Sequence, residues 1–191
     1  MNPHDSLLAY IRVLMPLSQE EFDRFKDRFV FMRYKRNDFL LSEGEICQFN
    51  YFVIKGSFRM YQINEEGQEL TRYFAFERKF GTNLTSLIEG SPSFENIQAI
   101  EPLEVLRIAK ADFLQLVETE PAVNKVYRNM LQNAYITSQK RIYDFQGMPA
   151  LSRLKWLLDQ YPLILSRIPG RMIASYLGVT PYTLSRLKAQ L

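Results

Sequence analysis

Along the chain the apolar positions change period, and each change marks a different kind of element. Leu7, Leu8, Ile11, Leu14 and Met15 recur at helical spacing until Met15-Pro16 interrupts the run, since proline breaks a helix interior. Ser18 opens S-Q-E-E, a capping box with Glu21, and Phe22, Phe25 and Phe29 follow on one helical face. Between residues 29 and 109 the pattern turns to short aromatic and β-branched runs, among them NYFVIKG, SFRMYQINEEG and ELTRYFAFE, separated by Gly44, Gly56, Gly67, Gly81 and Gly90. Many short strands with glycine turns predict a sandwich or jelly roll, with a hairpin across Glu65–Gly67.

Helical spacing returns at Lys110, stops before Pro121 and then runs long. Val123, Tyr127, Met130, Ala134, Thr137 and Arg141 are spaced 4-3-4-3-4, a heptad-like stripe. So narrow a stripe is too long for one small β-domain to cover, and a second copy of the same helix would cover it. These six residues are therefore the predicted seam of a homodimer. Gly147-Met148-Pro149 ends the helix, and short helical segments follow through PALSRLKWLLDQY, LILSR, PGRMIASYLG and TPYTLSRLKAQL.

Composition narrows the chemistry. The 191 residues are 47% hydrophobic and 24% charged, ordinary for a globular chain of one to two domains. No apolar run approaches the ~20 residues of a membrane-spanning helix, and the N-terminus does not read as a secretory signal, so no membrane partner and a cytoplasmic location are expected. One cysteine, Cys47, and one histidine, His4, near a terminus expected to be mobile, exclude an iron–sulfur cluster, most zinc sites and Cys–His or Ser–His catalysis. We expect no metal, no catalytic residues and no enzyme; a cupin-like enzyme would need histidines on its strands, and these strands have none. Cys47 reads as packing rather than a redox switch. Charge is uneven: residues 151–191 carry +5 and the first 150 carry −2, while all 14 Phe fall before residue 150. A Phe-rich, slightly acidic body with a basic tail points to a polyanion partner for the tail.

That tail holds the most specific pattern. Counted from Gly170, a twenty-residue helix-turn-helix puts small Ala174 at the helix crossing, Gly178 at the left-handed turn, and Ile173, Leu177, Val179, Leu184 and Leu187 between the helices. Thr180 caps the second helix and Pro181 sits in its first turn, where a missing N–H costs nothing. The polar face left over offers Tyr182, Thr183, Ser185, Arg186 and Lys188 to a major groove, with Arg186 on a base edge and Lys188 and Arg171 on phosphates.

With YFVIKGSFR at Tyr51–Arg59, FGTNL at Phe80–Leu84 and IASYLGVTPYTLSR at Ile173–Arg186, essentially the whole chain resembles the Crp-Fnr family of bacterial transcription regulators. The resemblance implies an α+β chain: an N-terminal jelly-roll (double-stranded β-helix) sensor of cyclic-nucleotide-binding fold over 1–120, a dimerisation helix over 121–147 and a helix-turn-helix domain over 148–191. The family's wing is abbreviated here or lies elsewhere, since little chain follows Lys188. Thr183 and Arg186 fall where the family contacts DNA, and Tyr182 replaces a frequent Glu that reads cytosine. Phe80, Gly81, Thr82, Asn83 and Leu84 match the effector pocket, with Thr137 and Ser138 at the family's purine contact. The ribose-binding Glu is replaced by Thr82, however, the phosphate-binding Arg is missing from Ser91–Asn96, and Glu95 adds a negative charge there. Weak or absent cAMP and cGMP binding is the expectation, with no evident cofactor and an unidentified small-molecule effector. The other partners implied are double-stranded DNA with a pseudo-palindromic operator, a second copy of the chain, and RNA polymerase. The alternative is a cyclic-nucleotide sensor acting by protein contact without DNA.

Overall fold

A computed structural model describes residues 2–191. The chain opens with α1 (Pro3–Leu14) and α2 (Gln19–Asp23), both entered through capping boxes, Asn2 with Asp5 and Ser18 with Glu21. Strands β1 (Val30–Tyr34), β2 (Phe39–Leu41), β3 (Phe49–Lys55), β4 (Phe58–Ile63), β5 (Glu69–Ala75) and β6 (Phe80–Gly81) lead to α3 (Leu84–Glu89), followed by β7 (Asn96–Ala99) and β8 (Leu103–Ala109). The rest is helical: α4 (Lys110–Thr119), α5 (Pro121–Gly147), α6 (Ala150–Gln160), α7 (Ile164–Arg167), α8 (Gly170–Leu177) and α9 (Pro181–Lys188). The N-terminus is an ordered helix rather than the mobile segment expected around His4. His4 Nε2 lies 2.8 Å from the Phe29 carbonyl oxygen and ties α1 to the entry of β1. Helix α3 is also new; Asn83 caps its start and left-handed Gly90 its end.

The strands form a mixed α/β chain's antiparallel sandwich of two four-stranded sheets, ordered β1-β8-β3-β6 and β2-β7-β4-β5. Strand β8 is held on both sides, with Leu106 opposite Phe31 on β1 and opposite Phe52 on β3. The β3–β4 turn is possible only with glycine at 56. Its φ is +88°, and a Cβ there would stand 2.3 Å from the Pro102 carbonyl oxygen.

Two compact units result, one built from the segment up to Met60 with Phe74–Gln132, the other from Tyr61–Tyr73 with Asn133–Leu191. In the first, Leu7, Ile11, Phe22 and Phe25 pack on Phe52, Phe80, Leu106, Phe113, Val123 and Val126. Each such side chain contributes about 1.5–3 kcal/mol by leaving water. In the second, Leu154, Leu157, Ile164, Ile168, Ile173, Leu177, Leu184 and Leu187 are buried. Arg153 closes the end of α5 there, donating to the carbonyls of Met148 at 2.9 Å and Asp144 at 3.3 Å, as cations favour helix C-termini.

Candidate nucleic-acid interface and effector region

The α8–α9 pair is fixed at its turn. Gly178 is left-handed at φ 64°, and Val179 N–H donates back to the Ala174 carbonyl at 3.0 Å. A Cβ at 178 would lie 2.5 Å from Cε1 of Phe145, so a side chain there would displace that ring at the end of α5. Thr180 starts α9 by accepting from Thr183 N–H at 3.1 Å, and the two threonine hydroxyls are 2.9 Å apart. The Thr183 hydroxyl is thus part of the cap, while Leu184 and Leu187 are buried against α8 and α6. The remaining residues of α9 point outward: Ser185, Arg186 and Lys188 are exposed, and Tyr182 is 72% exposed. Arg186 Cζ lies 6.0 Å from the centre of the Tyr182 ring, at the outer reach of a cation–π contact. Arg171 is exposed in the first turn of α8.

Ser175, which sequence reasoning did not single out, joins α8 to the β4–β5 hairpin. Its hydroxyl donates to the Glu69 carbonyl at 2.5 Å and accepts from Thr71 N–H at 2.8 Å. Arg141, expected on the seam, completes this contact: its guanidinium donates to the Arg72 carbonyl at 2.7 Å and the Tyr176 carbonyl at 3.4 Å, 4.2 Å from the Tyr176 ring.

The expected stripe on α5 is partly covered by its own chain. Val123 is only 2% exposed inside its own chain's core, with Tyr127 and Met130 packed against that core. Ala134 is exposed and Thr137 half-buried. The large apolar side chains left in solvent are Leu131, Tyr135, Ile136, Ile142, Tyr143 and Phe145. Of these Leu131, Tyr135 and Ile142, with exposed Ser138, keep the 4-3-4 spacing one residue further along.

In the effector region the polar groups are engaged internally. Phe80 is a core residue whose ring packs on those of Phe52 and Tyr10, at 4.8 and 5.7 Å, and Gly81 pairs with Tyr51. The Thr82 hydroxyl donates to the Phe49 carbonyl at 2.9 Å and lies 3.2 Å from the buried Cys47 sulfur. Asn83 accepts from Ser86 N–H to cap α3, and its amide donates to Ser93 Oγ and Glu95 Oε2, each at 3.0 Å. Glu95 is 3% exposed. The buried Glu95 carboxylate thus accepts from the amide of the loop that follows β6. Leu84 is half-buried at the start of α3, and Thr137 and Ser138 belong to the second unit. Among the described residues no His, Cys, Asp and Glu cluster suits a metal, and no helix is long and apolar enough to cross a membrane. A groove of about 630 Å³ lies among Leu14, Met15, Pro16, Val117, Lys125 and Arg128, and none of the expected effector residues lines it.

Comparison with known proteins agrees with this architecture. Residues 31–120 match the family model of the cyclic nucleotide-binding domain. The cAMP-activated global transcriptional regulator CRP of Salmonella typhimurium is 26% identical over 109 residues, covering 56% of this chain and 52% of that one; the chain thus spans about half the length of the curated relatives it matches. Among solved structures, FixK2 from Bradyrhizobium japonicum superposes with a TM-score of 0.71 at 19% identity, over 85% of this chain and 84% of that one. The c-di-GMP responsive global regulator CLP of Xanthomonas campestris gives 0.69 at 16% identity, over 91% of both chains. The chain is thus similar to the cyclic nucleotide-binding domain over residues 31–120 and, in fold, to solved regulators of the Crp-Fnr type.

Proposed function

We propose that the chain is a homodimeric, sequence-specific DNA-binding transcription regulator without catalytic activity. In this reading the sandwich is a jelly-roll sensor whose nucleotide cassette is closed, α5 is the dimerisation helix, and α8–Gly178–α9 is a helix-turn-helix. The observation that carries the reading is α9 itself. Its inner face is anchored by Leu184 and Leu187, and its outer face presents Tyr182, Ser185, Arg186 and Lys188 to solvent. A rigid helix with a cationic outer face fits the major groove, which admits one α-helix. Arg186 is assigned to a base edge, and Lys188 and Arg171 to phosphates, with Thr180 and Thr183 holding the helix entry. A two-fold dimer then requires half-sites about one helical turn apart, ~34 Å. The wider partners, RNA polymerase and a small-molecule effector, are carried by the family resemblance.

The test is selection of bound duplexes from random and genomic pools, followed by titration with two variants. Arg186→Ala should weaken the selected site by roughly 1–3 kcal/mol and flatten one base position. Lys188→Ala should weaken all sequences alike and lower the salt slope by about one. No salt-dependent duplex binding by the unmodified chain would leave the protein-contact alternative as the better reading.

A further inference from the structure

Tyr182 is the largest exposed side chain on the outward face of α9, and nothing in its own chain requires it there. It projects from a first turn made rigid by Pro181 at the helix start and by the Thr180–Thr183 cap. One turn on, Arg186 reaches back to within 6.0 Å of its ring. Four residues of α-helix advance ~6 Å and successive base pairs ~3.4 Å, so the two side chains address positions no more than about two base pairs apart. A phenyl surface gives no bidentate hydrogen-bond pattern. Its match in the major groove is the thymine methyl, the one apolar group exposed on a base edge there. An aromatic face beside a guanidinium also keeps that fork extended along the groove floor, aimed at guanine O6 and N7.

Resting on the DNA-binding reading above, we propose that Tyr182 and Arg186 form one reading unit. The Tyr182 ring recognises a thymine methyl within two base pairs of the guanine taken by Arg186, and Tyr182 is thereby the residue that sets this chain's base preference apart at that position.

The experiment uses the full chain and the duplex it selects. Replacing each thymine of the half-site in turn by deoxyuridine removes only the methyl group. One such replacement should weaken binding by the unmodified chain about fourfold, the worth of one buried methyl-sized group. Tyr182→Phe should keep that response and Tyr182→Ala should lose it. Tyr182→Glu, put through a fresh selection, should exchange the thymine for cytosine, whose amino group a carboxylate accepts. Indifference to deoxyuridine at every thymine would overturn the proposal while leaving DNA binding intact. So would a loss in Tyr182→Phe equal to that in Tyr182→Ala, because the phenolic hydroxyl and not the ring would then make the contact. If the unmodified chain binds no duplex at all, the DNA-binding reading fails and takes this inference with it.

Discussion

Two residues show how much a single position decides. Gly178 satisfies two demands at once, a left-handed backbone and room for the Phe145 ring. Gly178→Ala therefore meets a backbone penalty of about 1–2 kcal/mol and a displaced ring besides. Trp156 is the sole tryptophan and lies on α6 in the same unit, so its fluorescence in urea reports that unit. The midpoint should fall in Gly178→Ala, and adding Phe145→Ala should recover only the steric part. Recovery to the original midpoint would mean the φ > 0 requirement is not real. Glu21 illustrates the electrostatic version. Ser18 N–H at 2.7 Å, and then the Ser18 hydroxyl, hold its carboxyl below the usual carboxylate range. A depressed folded value contributes stability that is present above the ordinary range and lost as pH falls through the depressed value. Glu21→Gln should thus be less stable near neutrality and converge with the parent in acid, read by circular dichroism of urea-unfolding midpoints against pH. Both positions were legible in the sequence, because a capping box and a turn glycine are local patterns with fixed spacing.

At the scale of elements, period was legible and phase was not. The 4-3-4 spacing on α5 is present in the sequence, but spacing alone does not say which chain covers a given turn. Val123, Tyr127 and Met130 join the core of their own chain, Tyr127 edge-on to Phe113 of α4 and Met130 beside Asn50 of β3, and the open stripe begins one residue further on, at Leu131. The hairpin contact was invisible for a related reason: Ser175 and Thr71 are 104 residues apart, and no local pattern joins them. Helix α3 went unread because its six residues lie among strand-forming segments; the Asn83 cap and Gly90 were the available signals. On the proposed dimer reading, the exposed stripe gives a sharp test. Tyr135→Glu with Ile142→Glu should bring sedimentation from twice 22.5 kDa to that single-chain mass with circular dichroism unchanged, since both sites are solvent-exposed in one chain. Val123→Glu buries a charge in the core and should unfold the first unit. If Val123→Glu yielded a folded monomer and the pair at 135 and 142 remained dimeric, the original phase would be right.

For the molecule as a whole, the decisive question is whether the proposed closed cassette keeps a cyclic nucleotide out of this fold. The outline was readable from the sequence, since Phe80-Gly81 and the glycine-punctuated strands belong to the fold. That Glu95 would be buried and held by Asn83 was not, because it depends on β7 returning beside the loop after β6. On the proposed reading, a cyclic nucleotide would meet the Asn83–Glu95 bond and the Glu95 carboxylate, at a cost on the scale of charge-assisted bonds, about 1.5–3 kcal/mol each. We therefore expect dissociation constants above about 100 μM for cAMP and cGMP, weaker than roughly −5.5 kcal/mol. Linkage turns this into a stability measurement: 1 mM nucleotide at such an affinity adds at most about 1.4 kcal/mol, whereas micromolar affinity would add about 4 kcal/mol. A thermal midpoint that barely moves for either nucleotide is the expected result, and a rise matching the larger figure would overturn it. Asn83→Ala supplies the converse arm. It removes the α3 cap and a donor to Glu95, so it should destabilise the sandwich by about 1–3 kcal/mol without opening it to nucleotide, because the carboxylate remains. Only Glu95→Gln, which removes the charge and keeps the shape, should move nucleotide affinity upward. A gain in Asn83→Ala instead would show that the amide, and not the carboxylate, is what keeps the nucleotide out.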